Sequence, residues 1–86
     1  MVQSQQTVLF VLTSTKTMGE GGKPTGAWLE EFTVPYYAIR DAGLLPILAT
    51  TEGGAVPFDP RSTEEGSAEV PENRRFRSNP ELQAAV

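Results

Sequence analysis

Residues 25–50, TGAWLEEFTVPYYAIRDAGLLPILAT, decide the fold. Trp28, Leu29, Phe32, Tyr36, Ile39 and Leu44 recur at steps near three and four, with Glu30, Glu31, Arg40 and Asp41 between them. That is the period of a helix with one apolar face. Thr25 is placed to cap its start, Glu30 and Glu31 suit the positive end of the helix dipole, and Gly43 is a natural C′ residue. Pro35 has no N–H to offer the Glu31 carbonyl, so a kink is expected beside Glu31. After Gly43, residues 44–50 (LLPILAT) read as a strand, with Pro46 near its start where a missing ladder donor is tolerated.

Working outward, residues 7–13 (TVLFVLT) are β-branched and aromatic, apolar without alternation, and bounded by Ser14, Thr15 and a glycine-rich stretch. Such a run fits a strand buried on both faces, as in parallel sheets. Strand, helix and strand with short connections make a βαβ unit over residues 7–50. Of the 43 residues from 7 to 49, 21 are apolar or aromatic, against 10 of 37 from 50 to 86, so the core information lies in the first half. Residues 51–78 hold Gly53, Gly54, Pro57, Pro60, Gly66 and Pro71, and an irregular connection with short turns is expected there. Residues 79–86 begin a helix, with Ser78 or Asn79 as N-cap and Pro80 at N1.

The fold class is therefore α/β: the N-terminal βαβ portion of a flavodoxin-like doubly wound parallel sheet, apparently truncated, in one partial domain over residues 1–86. One crossover helix covers one face of a two-stranded sheet, whereas unalternating strands call for cover on both. A second copy of the chain, or a complementary C-terminal polypeptide, would supply the missing layer.

The 86 residues carry a net charge of −4 and contain neither cysteine nor histidine. Disulfides, a thiolate nucleophile and Cys/His zinc sites are excluded, and the commonest general base is absent. The mildly acidic balance favours neither nucleic acid nor an anionic membrane. The start lacks a signal-peptide pattern, and VLFVL is too short to span a bilayer, so a cytoplasmic location is expected. The loop GEGGKPTG matches neither the dinucleotide fingerprint nor the P-loop spacing, so Gly19, Gly21 and Gly22 read as a flexible connection. No cofactor and no metal site are implied. Trp28, Tyr36 and Tyr37 read as core, Arg74, Arg75 and Arg77 as a solvated helix start, and Asp59 and Ser62 as turn residues.

The segments TVLFVLTST, GEGGKPTG, TGAWLEEFTVPYYAIRDAG and LLPILATTEGGAVPFDPRS, continuing through ENRRFRSNPELQAA, together resemble the N-terminal part of the ThiJ/PfpI family. The branch most similar holds heat-shock chaperone and glyoxalase III type proteins, related to class I glutamine amidotransferases. The most specific element is the TG-x-W-x-EE-x-x-x-P-Y pattern. The resemblance implies a cysteine-dependent activity on small aldehydes or amides, often with a chaperone role and a homodimer. It assigns to Glu31 the catalytic carboxyl beside the nucleophilic cysteine, and to Gly26 a place at the same pocket. On the residues alone, Glu31 reads rather as a solvated helix residue that complements the dipole, and only the resemblance reverses that preference. Family members carry the cysteine on a later nucleophile elbow that this sequence does not contain, so the chain is expected to be inactive alone. Two other readings stay open: a non-catalytic interaction module whose sheet face recruits a partner, and a small flavodoxin-like nucleotide binder, which the missing phosphate fingerprint disfavours.

Overall fold

The computed structural model describes residues 6–86. Strand β1 (Thr7–Leu12) leads through a minimal antiparallel ladder, β2 (Thr17–Met18) and β3 (Lys23–Pro24), to helix α1 (Leu29–Asp41), and the chain returns as β4 (Leu45–Thr50). Two 3-10 turns, Pro60–Thr63 and Glu65–Glu69, precede helices α2 (Pro71–Arg77) and α3 (Pro80–Ala85). β1 and β4 pair in parallel, with Thr7 opposite Leu45 and Leu12 opposite Thr50. The molecule is thus a mixed α/β structure around a two-stranded parallel sheet.

Helix α1 forms where the periodicity places it, but three details differ. It begins at Leu29 rather than at Thr25, and Trp28 occupies the N-cap without a side-chain bond. Thr25 is instead committed to a distant carboxylate, described below. The helix runs on through Pro35, whose ring lies on the exposed side. Its end is a Schellman motif: Leu44 N–H reaches the Ile39 carbonyl at 3.1 Å and Gly43 N–H the Arg40 carbonyl at 3.0 Å. Gly43 takes a φ of +84°, which residues with a Cβ rarely adopt.

The buried side of α1 carries Leu29, Phe32, Tyr36 and Tyr37, which pack with Phe76 of α2 and Leu82 of α3. Phe10, Leu12 and Leu48 reach this cluster from the sheet. Phe32 is its centre, with ring centroids 6.2 Å from Phe10, 5.9 Å from Phe58 and 6.0 Å from Phe76. Thr33, fully buried, donates its hydroxyl to the Asn73 side-chain oxygen, and Asn73 in turn donates to the Ser67 carbonyl at 3.0 Å. This chain of bonds satisfies the polar groups that α1 and α2 bury between them.

The expectation of an irregular connection over residues 51–78 is corrected by α2. Its prolines and charges act as helix signals: Pro71 stands at the start, Glu72 in the first turn, and Arg74, Arg75 and Arg77 in the last. Those arginines are exposed but tied. Arg75 lies 4.0 Å above the Tyr37 ring and pairs with Asp41 at 2.8 Å. The glycine-rich loop is likewise no plain connection, since the β2–β3 ladder closes around the turn Gly19–Gly21. Helix α3 begins as read, and Asn79 is the cap, accepting from Leu82 N–H at 3.1 Å.

The strands depart from two-sided burial. Both alternate, with Phe10, Leu12 and Leu48 turned to the helices while Leu9 and Val11 are each 62% exposed and Ile47 43%. Register places Leu9 beside Ile47 and Val11 beside Ala49, so one sheet face is a contiguous apolar surface bare of any layer among the described residues.

Candidate functional site

In a strand–helix–strand unit the helix starts on the side where both parallel strands end, and ligand crevices of such sheets open there. The loops leaving β1 and β4 meet at that edge. Ser14 N–H donates to the Thr51 hydroxyl at 3.2 Å, and the Glu52 N–H donates to the Ser14 hydroxyl at 2.9 Å. Ser14, Lys16, Glu52, Gly53, Ala55, Val56 and Pro57 surround an open depression of about 520 Å³.

Glu31 stands in the first turn of α1 on this side of the sheet. Its amide donates to the Trp28 carbonyl at 3.1 Å, while its carboxylate is exposed and has no hydrogen-bond or ion-pair partner among the described residues. Such a carboxylate is open to a group brought against it.

Gly26 is held by sterics. A Cβ there would overlap the Pro57 carbonyl group and fall 2.9 Å from the Phe58 carbonyl carbon. Only glycine lets the two backbones close to this distance. The approach makes an isolated parallel bridge between Ala27 and Phe58. Ala27 N–H donates to the Pro57 carbonyl at 2.8 Å, and Asp59 N–H donates to the Ala27 carbonyl at 2.9 Å.

Beside this bridge lies Asp59, whose setting in PFDPRS has the sequence of an ordinary turn. Asp59 is 2% exposed and receives four side-chain hydrogen bonds. The Thr25 hydroxyl donates at 3.1 Å, and Arg61 donates from its backbone N–H at 2.9 Å, from Nε at 3.1 Å and from Nη2 at 2.8 Å. The hydrogen bonds from the Arg61 side chain, then that from its backbone N–H, hold the Asp59 carboxyl far below the usual carboxylate range; burial opposes them and Thr25 assists. Ser62, buried too, donates its hydroxyl to the Asp59 carbonyl at 2.7 Å.

Arg61 closes the site on the outer side. Its guanidinium lies 5.8 Å from the Trp28 ring centre, which leaves Trp28 38% exposed and corrects its assignment to the core; Tyr36 and Tyr37 are buried as expected. Trp28, Glu30, Arg61, Ser62 and Asn73 line a second hollow of about 280 Å³, and Glu30 rather than Glu31 lines it. The structure thus ties Gly26 to the loop after β4 and puts Glu31 one turn further along the helix so anchored. No His/Cys/Asp/Glu group able to hold a metal, and no helix long and apolar enough to cross a membrane, occurs among the described residues.

No family model matches the sequence, and no curated protein matches it. Among solved structures, the chain is similar to the crystal structure of the Rapid Encystment Protein 24 kDa (REP24) of Francisella tularensis, with 36% identity and a TM-score of 0.74. The match covers 86% of this chain and 32% of that one, so the chain spans about a third of the length of its structural neighbour.

Proposed function

We propose that these residues form the N-terminal part of a ThiJ/PfpI-like protein, within a larger doubly wound sheet, and that they contribute the carboxyl of Glu31 to a cysteine-dependent reaction on a small aldehyde or amide. The observation that carries this reading is the Glu31 carboxylate itself: exposed, without a partner, in the first turn of the crossover helix at the edge where both strands end. A thiolate that adds to a carbonyl carbon leaves an oxyanion that takes up a proton, and a carboxyl beside the thiol orients it and moves that proton. The thiol comes from outside these 86 residues, which contain no cysteine. In the structural neighbour the matching region is about a third of the chain, which fits a larger protein around this unit.

The test starts with the intact denaturing mass of the protein from its native source, followed by turnover of methylglyoxal before and after alkylation with iodoacetamide. The expected result is a mass well above 9.3 kDa, or a co-purifying cysteine-bearing polypeptide, with turnover that alkylation abolishes and Glu31→Gln depresses at least tenfold, within the contribution usual for a general acid or base. Turnover by the 86-residue chain alone, or turnover indifferent to alkylation, would overturn the proposal.

A second reading is favoured by the bare sheet face. Leu9, Val11 and Ile47 form the kind of exposed apolar surface that recruits a partner, and a non-catalytic interaction module would need no thiol. A protein from source that shows no thiol-dependent turnover but is isolated in a stable complex supports this alternative.

A further inference from the structure

We infer that Asp59 is the positioning residue for Glu31, acting through the three residues that lead into α1. The inference rests on the reading of Glu31 as the acid of the site. Asp59 is bonded to both sides of Gly26: its carboxylate accepts from the Thr25 hydroxyl at 3.1 Å, and its own N–H donates to the Ala27 carbonyl at 2.9 Å. Gly26, between them, sits in backbone contact with Pro57 and Phe58. Residues 25–27 are therefore held at every position by residues 57–59, and the first turn of the helix follows directly.

The N-cap residue of the helix, Trp28, makes no side-chain cap bond, so the hold on residues 25–27 stands in for a cap. The choice of an acid is also specific. Four donors converge on the two oxygens, and an ionised carboxylate is acceptor-only, so it satisfies all four. Asparagine offers one carbonyl oxygen and one NH2, and the NH2 would face a donor from Arg61. An error of about 1 Å in placing a catalytic group costs roughly a hundredfold in rate, so a loosened 25–27 segment should reach the chemistry without unfolding the protein.

The test compares Asp59→Asn, Thr25→Val, Thr25→Ser and Glu31→Gln in the protein from its native source, with Asn79→Ala as a variant that loses stability at a distant helix cap. With methylglyoxal as substrate, D59N and T25V should lower kcat per folded molecule about tenfold or more, with KM moved less than about twofold, while T25S and N79A stay near wild type. In the 86-residue chain, D59N should speed hydrogen exchange at the Ala27 and Asp59 amides and leave the β1 amides unchanged. Should D59N fail to fold, the T25V and T25S pair carries the same comparison. A drop in kcat with E31Q but none with D59N or T25V would overturn the positioning role and leave the reading of Glu31 standing. No drop with E31Q would overturn that reading, and the positioning role with it. Uniformly faster exchange in D59N would reduce Asp59 to a contributor to global stability and overturn the inference.

Discussion

At Gly26 and Asp59, single atoms decide local structure. A methyl group at Gly26 would overlap the Pro57 carbonyl, and neither backbone can yield without breaking the Ala27–Phe58 bridge. Gly26→Ala should therefore destabilise the chain by about 1–3 kcal/mol, the range for overpacking, readable as a lower urea midpoint with an unchanged slope. Asp59 gives a pH dependence of definite sign. Its folded-state carboxyl is held well below the unfolded value of about 3.9, so its stabilisation is complete above that value and is lost as the pH falls toward the depressed native one. Asp41, whose carboxyl is lowered chiefly by its hydrogen bonds from Arg75, acts in the same direction. Thermal melts from pH 6 down to pH 2.5 should show wild type losing Tm more steeply than D59N, the two curves converging at the acid end. Parallel curves would assign the acid limb to other groups.

Helices and strands differ in how much of them can be read from local sequence. The βαβ core is legible because each element is long enough to show its signal: six- and seven-residue apolar runs for the strands, and a spaced set of Leu29, Phe32 and Tyr36 for the helix. Helix α2 is not, since seven residues make barely two turns and its stability comes from burying Phe76 and Asn73 against α1 rather than from its own periodicity. Of the candidate site, Glu31 and Gly26 stand out only through the family resemblance, and Asp59 does not stand out at all. Its partner Thr25 is 34 residues away, and a carboxylate in PFDPRS has the sequence of a turn whether or not it is buried. The two-sided burial expected of β1 fails for a related reason, because a continuous apolar run records what a strand is suited to pack against and not which layers these residues supply. Asn79 illustrates the opposite case, a local signal that holds. Its side chain caps α3 through Leu82 N–H and donates to the Tyr37 hydroxyl at 3.4 Å. N79A should cost about 1 kcal/mol, a Tm decrease of roughly 4–8 °C for a domain of this size.

Across the whole molecule, the dominant feature is an asymmetry of cover. The helices shield one side of the sheet with a cluster of aromatic rings, and the other side leaves Leu9, Val11 and Ile47 in water. Leaving large aliphatic side chains exposed forgoes about 1.5–3 kcal/mol each relative to full burial, so any surface that covers the face gains a substantial driving force. The same face makes little contribution to the chain's own stability, because what is already exposed loses nothing on substitution. Two consequences can be separated by one variant. Replacing Leu9 and Val11 together by lysine should leave the far-UV circular dichroism and the unfolding midpoint close to wild type, since surface changes away from packed groups stay within about ±0.5 kcal/mol each. The wild-type 86-residue chain is expected to self-associate with rising concentration in sedimentation velocity and to bind the dye ANS, and the double variant to do neither. If instead the double variant unfolds, those side chains are buried in the folded chain and the asymmetry is absent in solution. If it folds and associates as before, the contact lies elsewhere, with the open edges of β1 and β4 the next surface to test.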